Sequence, residues 1–313
     1  VASDLDVSVI MARLEPRFRR VFLEIVKRIQ NDYEVERLVR LIETGRMHEF
    51  EAGLERYAVE LGNQIVAGYT LSAKAASELV GVSFNGVNIR AVAEMQAMRH
   101  RVIRELVGSQ IEAVRQTMNR GVSAGLNPVE IAREVRRSIG LTARQEQWVQ
   151  NYRQLLEAGE SDALRRQLRD RRFDRSVRRS TALTPDEIER MVQRYRERAI
   201  AYRARVIART EALSAAHGGT YQMWNQAVSD GVIDSRLIVQ RWVTSGLPNR
   251  RDSHITMHGQ RRPFGVAFTS GAGVSLRYPG DLAAPLSETA QCACAFTVRI
   301  APSIEVAQQM LAA

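Results

Sequence analysis

TPDEIERMVQRYRERAIAYRARVIARTEALSAAHGG, residues 184–219, is the stretch that separates what is helical in this chain from what is not. It opens with Thr184 as N-cap, Pro185 at the first helical position and Glu187 three residues on, the pattern of a capping box. Ile188, Met191, Tyr195, Tyr202, Val206 and Leu213 then recur at helical spacing and make one face apolar. The spacing predicts a helix that reaches the Gly218–Gly219 pair or beyond, to about Asp230–Gly231.

Upstream of that helix the pattern stays helical. LEPRFRRVFLEIVKRIQ puts Leu14, Phe18, Phe22 and Ile25 on one face, with Val21 and Ile29 beside them. FEAGLERYAVELGNQIVAGY repeats the pattern with Leu54, Tyr57, Leu61 and Ile65, and a long candidate follows with Met95, Met98, Val102, Leu106, Val114 and Met118. Asn127-Pro128 with Glu130, and Thr142 with Gln145, are two more helix starts, while Gly140 and Gly159 are stops. Downstream the composition changes. Residues 232–313 hold five of the eight prolines and the short β-branched runs LIVQRWVT, VSLRYP and CAFTVRI, joined by a Gly/Pro/Ser-rich connection too long to be idle in a compact domain. The fold class expected is α+β, a mostly helical N-terminal region followed by a small α+β C-terminal domain. Its segments are 1–92, a helical middle region 93–183 with an arginine-rich belt, and 184–313.

At 313 residues the chain is long enough for real cores, so no metal or disulfide staple is required. Two cysteines argue against a disulfide-built secreted scaffold. No run of 18 apolar residues predicts a membrane span, and the acidic opening VASDLDVSVI is wrong for a secretory signal. The net charge of +10 is uneven: residues 1–60 carry 10 basic and 12 acidic side chains, residues 161–210 carry 15 and 7. Of the 45 basic residues 43 are arginine, whose guanidinium grips phosphate and carboxylate bidentately. A polyanion or an acidic protein surface is the expected partner.

Four stretches carry candidate sites. In CACAFTVRI, alternation puts Cys292, Cys294, Phe296, Val298 and Ile300 on one strand face, which reads as core. His254 and His258, at i, i+4 spacing in RRDSHITMHGQ, could complete a tetrahedral zinc shell with the two cysteines. The C-x-C step is tighter than the usual C-x2-C, so the core reading is preferred and no cofactor is expected. A Cys–His nucleophilic pair has nothing in the sequence to mark a low-pKa thiolate. Arg209, Thr210 and Glu211 interrupt an apolar helical stripe and read as a buried Arg–Glu pair tying helix to sheet, not as a transferase site.

LRRQLRDRRFDRSVRR, 164–179, holds eight arginines in sixteen residues: Arg165, Arg166, Arg169, Arg171, Arg172, Arg175, Arg178 and Arg179. In a continuous helix Leu164 and Leu168 would point away from Phe173 and Val177, so no single face is buried, and the belt is a candidate contact for DNA or an acidic partner. EIAREVRRSIGLTARQEQWVQ has the outline of a helix-turn-helix, but Trp148, Val149 and Tyr152 on its second helix indicate packing. No P-loop, G-x-G-x-x-G after a strand, H-E-x-x-H or G-x-S-x-G occurs, and no enzyme is expected.

In order along the chain, GLTARQ with NYR, RVIARTEALSAAHGG, Trp242 with TSGLPNRRDSHITMHGQ, LRYPGD and a closing C-x-C resemble the Mu F-like head morphogenesis family of tailed phages. These are minor head proteins encoded beside the portal, and the resemblance covers about residues 100–300. The family's signature positions match Arg209, Thr210, Glu211, Trp242, Arg251, His254, Gly259, Gln260, Pro279, Gly280, Cys292 and Cys294 here. Many relatives carry a further C-x-x-C near the histidine loop and an arginine between the last cysteines. This chain has His258 in that loop and Ala293 between its cysteines. The resemblance implies a bacteriophage virion protein of low copy number, acting in head morphogenesis and capsid assembly. It would bind the portal protein or the major capsid protein, contact packaged DNA and leave with the genome. It would lie inside the head near the portal after assembly in the host cytoplasm, with no membrane expected during assembly. The alternatives are a sequence-independent nucleic-acid-binding protein and a zinc-dependent enzyme.

Overall fold

A computed structural model describes residues 7–178, 182–246 and 250–313. The helices come first: α1 Val7–Asp32, α2 Val35–Glu43, α3 Met47–Val80, α4 Ile89–Ser123, α5 Pro128–Ser138, α6 Ala143–Glu157, α7 Asp174–Arg178 and α8 Pro185–Ser229. Then come β1 Ile238–Val243, α9 Asp252–Ile255, β2 Arg261–Pro263, β3 Phe268–Thr269, β4 Ser275–Leu276, α10 Leu286–Thr289, β5 Ala295–Ile300 and α11 Ile304–Ala312. The fold is α+β. No helix among the described residues is long and apolar enough to cross a membrane.

The local signals act as their chemistry requires. Asn127 accepts from Glu130 N at 3.0 Å while Glu130 Oε2 accepts from Asn127 N at 2.9 Å, and Thr142 and Gln145 make the same reciprocal pair. Thr184 and Glu187 close the third box at the start of α8. Gly140 takes φ +95° and passes the chain from α5 toward α6, with its N–H held by Gln110 Oε1 at 2.7 Å. The expected extent of α8 is met, since it continues through Gly218–Gly219 to Ser229.

Contacts divide the chain into two compact units that interleave along the sequence. One comprises 20–59 and 102–205. Its core gathers Leu141, Val149, Tyr152, Leu156, Ile188 and Tyr195, with the Tyr152 and Tyr195 rings stacked at 4.4 Å. The packing role expected for the second helix of the helix-turn-helix outline is what Val149 and Tyr152 perform. Charge is buried here as well. Arg196 reaches Glu146 Oε1 at 3.3 Å, and Arg203 donates to Ser109 Oγ at 2.6 Å with its guanidinium 5.5 Å from the Phe22 ring. Arg203 makes no ion pair among the described residues, and burial pulls its pKa down to about 10.

In this unit the arginine-rich segment departs from expectation. It is not one helix: a 3-10 turn at Ser161–Arg165 and another at Arg171–Phe173 precede α7. The bends bring Leu168, Phe173 and Val177 onto the same core, so three of the four apolar residues that would diverge on a helix share one burial site, and Leu164 is half-buried outside it. Arg179 lies outside the described residues.

The other unit comprises 1–19, 60–101 and 206–313. A three-stranded antiparallel sheet in the order β2-β1-β5 sets Trp242 opposite Phe296 and Val239 opposite Pro263. Strands β3 and β4 form a separate antiparallel pair. The core joins Leu213, Tyr221, Trp224, Trp242, Phe268 and Tyr278 to residues of α3. Gly219 is where α3 and α8 approach: a methyl there would meet Ala73 N at 3.0 Å and collide with the Tyr69 carbonyl oxygen. The strand expected to hold both cysteines begins only at Ala295. Cys292 and Cys294 are buried as expected, but on an irregular segment ahead of the strand. The turn comes at Gln291, a non-glycine residue at φ +55°.

Candidate functional site

Three loops of the second unit meet at His254. Strand β1 ends at Val243 and the chain returns through α9, where Thr244 Oγ1 donates to His254 O at 2.8 Å. Trp242 sets its ring edge-on to the imidazole, centroids 5.5 Å apart at 84°. Between β4 and β5 the chain forms α10, and Arg251 ties that turn down by donating from Nε to Ser287 O at 2.6 Å and from Nη2 to Ala290 O. Thr210 on α8 accepts from Gln291 N at 3.0 Å and holds the residue that precedes Cys292. Gly259 and Gln260 pair their backbones with Trp242, and the Gln260 side chain braces Thr269. Gly280 presents its carbonyl to Ser214 Oγ at 2.8 Å, and Pro279 beside it is buried. Thr210, Trp242, Arg251, Gly259, Gln260 and the two cysteines therefore belong to one set of contacts around the histidine, while Gly280 contacts Ser214 of α8.

At the centre, His254 Nε2 lies 2.8 Å from Glu288 Oε2, which also accepts from Ser253 Oγ at 3.2 Å. A buried carboxylate at Nε2 selects the tautomer with its proton there and its lone pair on Nδ1. Cys292 Sγ and Cys294 Sγ each lie 3.5 Å from Nδ1. Histidine and both cysteines are buried, and Cys292 Sγ also accepts from Cys294 N at 3.4 Å. The thiols share their protons unequally. The hydrogen bond from Cys292 pulls Cys294 down, and the same bond together with burial pushes Cys292 up. A cavity of about 110 Å3 opens beside the sulfurs, and Arg209, Arg250, Arg251 and Ser245 line its other side. Two sulfurs and one imidazole nitrogen make a donor set suited to soft and borderline divalent ions.

Two expectations are corrected here. His258 does not join the cysteines: α9 ends at Ile255, so no continuous helix carries both histidines on one face. His258 is exposed, and its Nδ1 accepts from Thr244 N at 3.1 Å. Nor does Arg209 pair with Glu211. Residues two apart on a helix face different ways, and Glu211 takes Arg101 of α4 instead, at 2.6 Å. Arg209 is half-buried and makes no ion pair among the described residues. Sequence reasoning missed Glu288, whose signal was modest: it is the single acidic residue between Asp281 and Glu305, four positions before Cys292.

The arginine belt belongs to the other unit, and aspartates in it and just before it take up part of its charge. Arg165 pairs with Asp162 at 3.2 Å, Arg172 with Asp170 at 2.6 Å, and Arg169 holds Asp174 at 2.9 Å while Arg178 reaches it at 3.9 Å. Arg166, Arg171 and Arg175 are exposed and make no ion pair among the described residues. Compared with known proteins, the chain matches no family model, no curated protein and no solved structure.

Proposed function

We propose that this chain is a minor head protein of a tailed phage, acting in head morphogenesis by binding the portal or inner capsid and contacting packaged DNA. The reading starts from the resemblance of its motifs to the Mu F-like family. The observation that carries it is the convergence around His254: residues far apart in sequence, from Thr210 through Trp242, Arg251 and Gln260 to Cys294, contact one another as parts of one module. A set of motifs matched by chance has no reason to share a contact network. The exposed arginines at 166, 171 and 175 supply positive charge for DNA phosphates or an acidic portal surface. No catalytic step is assigned.

The test is composition and association. Mass spectrometry of gradient-purified heads of the encoding phage should find the chain at a copy number far below the major capsid protein. The purified chain should be retained by the portal protein. If it is absent from heads, is not retained by portal or capsid protein, and still binds DNA in a salt-dependent way, the nucleic-acid-binding alternative replaces this reading.

A further inference from the structure

A histidine whose Nε2 donates to a buried carboxylate has one lone pair left, on Nδ1. In His254 that lone pair meets two sulfurs at the same distance, 3.5 Å, and the three donor atoms lie within 4.8 Å of one another. A thiol–imidazole pair needs one sulfur, not two. A tetrahedral zinc with bonds of about 2.3 Å to sulfur and about 2.0–2.1 Å to nitrogen has N···S edges of about 3.5 Å. Both edges in this protein have that length.

The surroundings are those of an oriented ligand set. Glu288 fixes the imidazole from behind, and the Cys294 N–H supports Cys292 Sγ, the outer contacts that hold ligands of a bound ion. Gln291 spends an unfavourable left-handed conformation directly before Cys292, and Thr210 holds it there. We propose that His254 Nδ1, Cys292 Sγ and Cys294 Sγ bind one zinc-class divalent ion whose fourth position opens into the arginine-lined cavity and takes an exogenous anion.

The open position follows from what is absent around the sulfurs and from charge. His258 is occupied with Thr244, and Glu288 faces the far nitrogen of the ring, so no fourth protein donor is at hand among the described residues. Two thiolates neutralise a divalent ion, and an anion in the fourth position adds a negative charge. Arg209 lines the cavity without an ion pair among the described residues, and Arg250 and Arg251 lie beside it. Three protein ligands with a free fourth position is the arrangement of exchangeable zinc sites, whereas closed structural sites use four. The ion site stands whether or not the chain acts in phage heads.

Cobalt(II) titrated into the full chain after chelator treatment tests it. One cobalt per chain should bind, with the absorption of a tetrahedral thiolate site, and one zinc should displace it. Added azide should change the spectrum by entering the fourth position. Glu288→Gln, with all three ligands intact, should weaken binding by about 10–100-fold. His258→Ala should leave stoichiometry and spectrum unchanged, and Cys294→Ser should abolish the thiolate bands. No uptake of cobalt or zinc by the wild-type chain, or uptake that survives Cys292→Ser/Cys294→Ser, overturns the site. Loss of the ion in His258→Ala, or a spectrum indifferent to azide, overturns the open position. Should Cys294→Ser fail to fold, the wild-type chain and Glu288→Gln decide the matter.

Discussion

Glu211 finds its partner 110 positions back along the chain, where Arg101 donates to it at 2.6 Å with side chains 11% and 5% exposed. Glu211→Ala strands a nearly buried guanidinium and should cost about 3–5 kcal/mol of stability in urea unfolding. Arg101→Met/Glu211→Leu should recover part of that loss, because the Arg101 charge is then no longer stranded. A single-variant cost within error would mean that water reaches the pair. The sequence marked Arg209-Thr210-Glu211 as a polar break in an apolar stripe, and that much was legible. The partner was not, because nothing local in Glu211 points to Arg101. The same holds at the histidine. Its meeting with two cysteines could be suspected from residue types alone, but the choice of His254 over His258 depended on where a one-turn helix stops. Glu288 depended on a loop that Arg251 pins through backbone carbonyls, which no side-chain pattern announces.

Elements with their own local chemistry were the most legible. The three capping boxes lie where the Asn/Thr-x-x-Glu/Gln spacing put them, and Asn127→Ala should lower stability by about 0.5–2 kcal/mol in denaturant unfolding. The arginine-rich segment escapes helical periodicity because Asp162, Asp170 and Asp174 favour turns and local ion pairs there. Its pairing sharpens what it can do. Replacing Arg166, Arg171 and Arg175 with Gln should flatten the log–log salt dependence of DNA affinity by up to about 2.7, at about 0.9 per phosphate contact. The same change at Arg165, Arg169 and Arg172, which aspartates already hold, should flatten it less. Equal effects from both sets would show that the ion pairs yield to phosphate. Asp170 gives this segment a pH dependence. The hydrogen bond from Arg172, joined by Arg198, lowers its carboxyl from 3.8 to about 2. A folded pKa below the unfolded one adds stability above about pH 4 that is lost as pH falls from there toward 2. Asp170→Asn should remove that part of the acid slope in unfolding followed from pH 5 to pH 2.

For the molecule as a whole, the division into helical and mixed parts was legible because composition and hydrophobic period both change after residue 231. The grouping of segments was not, since compact units need not follow chain order. The region from 184 onward reads as a self-standing domain, yet its Gly219 packs against the α3 backbone at Tyr69 and Ala73, and its Glu211 needs Arg101. A fragment of residues 184–313 should therefore lack a cooperative thermal transition. Adding residues 60–101 as a second chain should restore one. A sharp unfolding transition in the fragment alone would show that the missing helices are dispensable. The interleaving also sets an order in time. As the chain leaves the ribosome, the unit of 20–59 and 102–205 has all its residues once position 205 has emerged. The other must hold 60–101 in waiting until 206–313 is made. Throughout that delay the face of α3 that will meet Gly219 has no partner. For this nascent chain, the greatest exposure to chaperones and to aggregation falls in the seconds during which 206–313 is being made.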